Sequence, residues 1–281
     1  MLSPHVIGII YALISAVVWG TGDFSGGVAT RTHSQFQVLA IMSVPGIVII
    51  ALIAFIIGET TVPIKDILWA TSAGISGALG IAALYRGLSM GNAASVAPTA
   101  AVIGAALPAG FGCLFIGMPE AAQIAGFIIA ILGIWFVSRP PDSHARANNT
   151  GLLLAILAGS GFGVFFILIG QVEHGRVFAP LVIAKITALI LALVILKARR
   201  EGIPSLGSNP IALLAGLFDA GGNVFYMLAK QYTRIDVAAV LASMYPSVTV
   251  ILASIILHEK VSASQWRGVA LCVAAIALIG L

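Results

Sequence analysis

The chain is a succession of long apolar runs divided by short polar breaks. Each run is close to the roughly 20 residues that a helix needs to cross the hydrocarbon core of a bilayer. In lipid every backbone N–H and C=O must be bonded within the protein, and a run of this length does that as a helix. Segmentation at the polar breaks predicts ten spans, at 6–28, 35–57, 67–88, 93–116, 121–137, 151–171, 178–196, 211–229, 237–257 and 264–281. Charged residues make up 9% of the chain, against roughly 25% in an ordinary soluble domain, too few to cover a water-facing surface. The net charge of +4 is scattered over connectors rather than gathered in a tract, which fits lipid headgroups and argues against a nucleic-acid partner. Cys113 and Cys272 sit in apolar runs with no CxxC or His-rich neighbour, so they read as buried thiols, and no metal or cofactor is expected. The first span lacks a basic leader and a small-residue cleavage site, so it reads as retained.

The stretch 139–150, RPPDSHARANNT, is the longest soluble-looking segment in mid-chain, with five spans on either side. It predicts a first five-helix repeat at 1–138, a linker at 139–150 and a second repeat at 151–281. Sliding the chain on itself by 142 residues pairs Ala97 with Ala239, Ala100 with Ala242, Gln123 with Gln265, Gly126 with Gly268 and Ile134 with Ile276. Five is odd, so two such units in tandem must be inverted relative to each other. Inverted repeats are a transporter architecture with the site near the midplane, where the repeats meet. The predicted fold is therefore an all-α membrane protein of ten transmembrane helices in two inverted five-helix repeats.

The eighth span carries one carboxylate near its middle, Asp219, with Asn223 and Tyr226 following on the same helical face. A charge at that depth costs about 2.5–3.5 kcal/mol on insertion scales, so it must face water or a partner. Two readings stand side by side: a carboxylate that exchanges a proton or holds a substrate amine, and an ion pair with Lys185 of span seven. Lys185 itself suits a substrate carboxylate. Asp23, among the glycines of span one, reads either as a cavity-rim carboxylate or as part of a packed interface. Arg86, at the end of span three, reads as a snorkelling cation or as an anion recruiter. Trp19, Tyr226 and Tyr245 are aromatic candidates for a pocket wall. Pro246 removes a backbone donor in span nine and marks a hinge or a static kink, and Pro98 with Thr99 in span four invites the same pair of readings. The expected cavity is lined by spans one, three, four, six, eight and nine. No Walker motif is present, and the glycine clusters lie inside apolar spans, where helix packing accounts for them.

The run 226–279, with VAAVL at the entry to span nine, Pro246 within it, Glu259 at its end and Gly268 early in span ten, resembles an EamA-type transporter of the drug/metabolite transporter superfamily. The opening WGTGDFSGG, 19–27, is similar to that family's Trp-Gly first span. In the first half Gly104 stands where the repeat would place Pro246, and Gly117 where it would place Glu259. The resemblance implies ten helices around a central cavity, alternating access, and export or uptake of a small metabolite such as an amino acid; of the two directions, export is the one expected here. It implies a carrier rather than an enzyme, in a bacterial inner or plasma membrane, with lipid, a small-molecule substrate and protons as partners. The competing readings are a multidrug efflux carrier and a non-transporting membrane assembly subunit, the latter with tight glycine packing and no cavity.

Overall fold

The computed structural model describes residues 2–89, 93–138, 149–256 and 261–280, so most of the linker, and Glu259, lie outside it. Among the described residues every regular element is helical: α1 Pro4–Ala29, α2 Gln35–Ile56, α3 Ile64–Ser89, α4 Ala93–Phe111, α5 Ala121–Val137, α6 Asn149–Gly170, α7 Phe178–Ala198, α8 Pro210–Ala229, α9 Ile235–Ala242, α10 Tyr245–Ile256 and α11 Ala263–Ile279. Among the described residues eight segments are long and apolar enough to cross a membrane, the α9–α10 stretch Ile235–Ile256 counting as one. The shorter apolar helices α5 and α11 have 17 residues each, about 26 Å at the usual helical rise. They pack against each other. Large apolar side chains turned outward, such as Phe55 at 74% exposure and Leu114 at 80%, suit lipid rather than water. The chain is a multi-pass membrane protein.

Where lipid surrounds both partners, hydrophobic burial does not draw helices together, and close packing of small residues takes over. At four matched glycines the packing follows the 142-residue register. A Cβ added at Gly74 would meet the carbonyl of Ala184, and one at Gly216 would meet the carbonyl of Met42. A Cβ at Gly126 would meet Ile279 and Ala275, and one at Gly268 would meet Val137 and Gly133. Each contact becomes the other when 142 is added to one residue and subtracted from its partner. The helix pairing repeats the pattern: α1 lies on α8 as α3 lies on α6, and α2 lies on α8 as α3 lies on α7.

The connectors repeat it too. After α2, Gly58 takes φ 77° and Glu59 N bonds back to Ala54 O at 2.8 Å; after α7, Arg200 takes φ 58° and Glu201 N bonds back to Leu196 O at 2.9 Å. Both are Schellman closures. The two glutamates then reach across to the other repeat. Glu59 accepts from the backbone N–H groups of Val177, Phe178 and Ala179 at 3.0–3.2 Å, capping α7, which has no side-chain cap of its own. Glu201 accepts from the Ser34 hydroxyl at 2.5 Å, and Ser34 is the N-cap of α2. So the α1–α2 connector meets the α7–α8 connector, while the α2–α3 connector meets the α6–α7 connector.

Span nine is not one helix. It closes at Ala242, turns through Ser243 and Met244, and resumes as α10 with Pro246 in the first turn. Proline has no N–H to offer the Ala242 carbonyl, which is the local cause of the break. Pro98 belongs to the backbone of α4, but its side chain lies outside the described residues.

Candidate functional site

A cavity of about 100 Å³ lies among α1, α2, α3, α6, α7, α8 and the start of α10. Sequence reasoning put span four in its wall and left out spans two and seven. The reverse holds among the described residues, because α4 lies behind α6. A Cβ at Gly159 would meet Ala100 and Ile103, and one at Gly163 would meet Leu107, so α6 shields α4 from the interior.

At mid-height the Lys185 ammonium donates to Asp219 Oδ2, and the two side chains are 12% and 18% exposed. Asn223, one turn on, donates to Asp219 Oδ1 at 3.1 Å and to the Asp219 carbonyl at 2.5 Å. The carboxylate is thus held by a cation from α7 and an amide from its own helix. Glycine makes the approach possible: Gly46 on α2 faces Ala220 and the Lys185 stem, and a Cβ there would stand 3.2 Å from Ala220 Cβ. Gly22 on α1 lies against Phe218 and the backbone N of Asp219, which brings the next residue, Asp23, to the same cavity. Among the described residues Asp23 makes no hydrogen bond or ion pair.

Of the sequence candidates, Trp19, Asp23, Lys185, Asp219, Asn223 and Tyr245 line the cavity. Tyr226 does not. It is fully buried beneath the floor, its hydroxyl donating to the Phe166 carbonyl at 3.0 Å and its ring packed against Trp19 and Phe166. The face shared with Asp219 continues, but one further turn carries it from the cavity into the α6–α8 seam. Arg86 is exposed in the last turn of α3, and Thr99 on α4 is half-buried; neither reaches the cavity.

Sequence reasoning missed Ser43, Gly77, Ile81, Tyr85, Phe162, Phe165 and Phe166, all in the lining. The signal that finds four of them is the register. Shifting by 142 residues takes Lys185 to Ser43, Asp219 to Gly77, Asn223 to Ile81, and Asp23 to Phe165. All eight residues face one cavity, which therefore straddles the pseudo-twofold relation between the repeats. Its positions are symmetric and its chemistry is not.

A burial-tolerant ion pair, an unpartnered carboxylate and an aromatic wall can hold a small polar molecule and exchange protons or counter-charges with it. Among the described residues no serine or cysteine of the lining is set against a histidine, so an activated nucleophile is not assembled there.

A solved crystal structure, described only as that of a protein, is similar over 96% of this chain and 95% of its own, with a TM-score of 0.75 at 15% identity, which speaks to the fold alone. No curated protein matches the chain. The family model described as the EamA-like transporter family matches twice, at residues 6–139 and 149–281, so that the two halves are each a copy of its unit. With both copies covering nearly all of the sequence, this chain belongs to the EamA-like transporter family of the drug/metabolite transporter superfamily, a family of membrane transporters rather than enzymes.

Proposed function

We propose that the chain is a secondary carrier that moves a small metabolite, an amino acid or a related compound, by alternating access, with export as the direction and protons as the coupling ion. In this reading 1–138 and 151–281 are inverted five-helix repeats joined by the linker 139–150, α5 and α11 complete ten crossings, and the setting is a bacterial inner or plasma membrane. The meeting of the α1–α2 connector with the α7–α8 connector supports the inversion, because the first loop of one repeat shares an end with the second loop of the other. Pro246 and Pro98 are the hinge positions, and the break between α9 and α10 supports the first of them.

The observation that carries the reading is the Lys185–Asp219 pair, a charge pair held at mid-depth on the wall of a cavity rather than in a dry seam. A packing subunit has no use for one, since replacing a buried pair by apolar residues of similar volume is often neutral or stabilising. Asp219 loads a coupling proton when Lys185 releases it.

Reconstitution into proteoliposomes tests it. A metabolite screen that compares cells overexpressing the protein with cells lacking it supplies the cargo. Asp219→Asn is expected to abolish its pH-driven flux. Unchanged flux with unchanged pH dependence would remove Asp219 from the mechanism.

A further inference from the structure

Two carboxylates, Asp23 and Asp219, and one ammonium, Lys185, line the cavity, which leaves one negative charge. Lys185 and Asp219 satisfy each other, and Asn223 takes up the second Asp219 oxygen. The carboxylate left without a cation is therefore Asp23. Around it stand Trp19, Tyr85 and Tyr245, whose ring faces attract cations. Tyr85 is packed so closely beside Asp23's helix that a Cβ at Gly26 would stand 2.5 Å from its hydroxyl oxygen. The repeat-related position across the cavity is Phe165, flanked by Phe162 and Phe166. Both walls thus offer aromatic rings, and only the Asp23 wall adds an unpaired carboxylate.

We infer that the cargo of the carrier proposed above is a compound related to an amino acid but lacking its carboxylate, an amphiphilic monocation: a protonated amine or ammonium group lodged at Asp23, with a short apolar body laid against Phe162 and Phe165. This inference rests on the carrier reading for its biological sense, but its test is equilibrium binding and needs no transport. A charged group at this depth is stable only with a counter-charge, and Asp23 is the carboxylate left to supply it. Lys185 does not oppose the cargo, because its charge is spent on Asp219. A zwitterion would have to break the Lys185–Asp219 pair to seat its carboxylate; a monocation leaves it intact.

The probes are four molecules with one hydrocarbon body: isoamylamine as the cation, leucine as the zwitterion, 4-methylpentanoate as the anion and isoamyl alcohol as the neutral form. Each is titrated by calorimetry into the full chain in lipid nanodiscs. Isoamylamine is expected to bind at least about tenfold tighter than the alcohol, roughly the ratio that one modest ionic contact supplies. Asp23→Asn is expected to bring that ratio to near one, and Asp23→Glu to restore most of it. A merely structural Asp23 would weaken all four ligands together, which would overturn the assignment. So would preferential binding of leucine or 4-methylpentanoate, binding of none of the four, or a cation preference that survives Asp23→Asn. Each of these leaves the carrier reading to the flux assay with Asp219→Asn, so the two ideas fail separately.

Discussion

The two repeats agree at a set of matched glycine contacts and disagree at the charged positions of the cavity. Gly74 and Gly216 each press on a backbone carbonyl of the opposite repeat, and Gly126 and Gly268 do the same between α5 and α11. At the cavity wall the paired positions are Lys185 with Ser43, Asp219 with Gly77, Asn223 with Ile81, and Asp23 with Phe165. The difference follows from the solvent. Helices in lipid associate through close contact of small residues, so a contact position has few acceptable occupants. At these four pairs the side chain lines the cavity, where an occupant is accepted if its charge is answered. Duplication preserved the scaffold, and the polar chemistry gathered on the second repeat and on Asp23.

The largest consequence is at the ion pair. Lys185→Met leaves the Asp219 charge without its cation, and the loss of one partner of a buried pair costs about 3–5 kcal/mol. Adding Asp219→Asn removes the orphaned charge and is expected to recover most of that loss, while Ser43→Ala, at the repeat-related position, is expected to stay within about 0.5 kcal/mol. Unfolding in mild detergent of the wild type and these three variants measures the difference. If Lys185→Met costs no more than Ser43→Ala, the two walls are energetically alike and the contrast drawn above is wrong.

Lys230 extends the contrast to one end of the bundle. It stands just past α8, 9% exposed, with its ammonium donating to the carbonyls of Gly170 and Val172 at the end of α6; 142 residues earlier the sequence has Leu88. Burial pushes its pKa down to about 8, against an upward pull from Asp66. Between that value and the unfolded one near 10.4 the unfolded chain keeps a proton that the folded chain has released, so stability rises with pH across the window. Relative to Lys230→Met, the wild-type protein is expected to gain about 2 kcal/mol from pH 8 to pH 10, read as a widening difference in Tm. A difference that stays flat or narrows would show that the ammonium is stabilised where it lies.

Matched glycines sharpen the other side of the comparison. Gly74→Ala and Gly216→Ala each drive a methyl group into a backbone carbonyl, which cannot swing aside as a side chain does. Overpacking of this kind costs about 1–3 kcal/mol, and the two variants are expected to lose the same amount within error. Unequal losses in a detergent melt would mean that the scaffold is less symmetric than its contacts.

Much of this was legible in the chain itself. Apolar run length located the helices to within a few residues, and the 142-residue slide located the repeat, because period and length survive without tertiary knowledge. Asp219 and Lys185 stood out because a charge in an apolar run needs an answer, although no sequence rule said that each is the other's answer. What escaped was whatever depends on the shape of a seam. Tyr226 shares a face with Asp219 yet falls below the cavity, since one helical turn is enough to cross from wall to packing. Span four was expected at the wall, but α6 stands in front of it. Phe165 looked like one more apolar residue until its repeat mate, Asp23, was seen on the opposite wall.

The smallest effect tests the scaffold where the two sequences part. The closures after α2 and α7 share their hydrogen bonds and both need a left-handed residue, which is Gly58 in one and Arg200 in the other. Arg200 carries a Cβ into a conformation that costs an L-residue about 1 kcal/mol, and glycine adopts it freely. Against that, glycine gives the unfolded chain more freedom to lose. With the strain term the larger, Arg200→Gly is expected to stabilise the protein by a few tenths of a kcal/mol to about 1 kcal/mol, and Gly58→Ala to destabilise it by about the same. The loss of the Arg199–Glu201 neighbourhood is not part of this change, since that pair lies to either side of the substituted residue at 3.9 Å. Opposite signs for the two substitutions would establish that the turns are one device built from two sequences. If Arg200→Gly destabilises as Gly58→Ala does, the arginine side chain holds something at that end which the glycine turn does without, and the likeness of the connectors stops at their backbones.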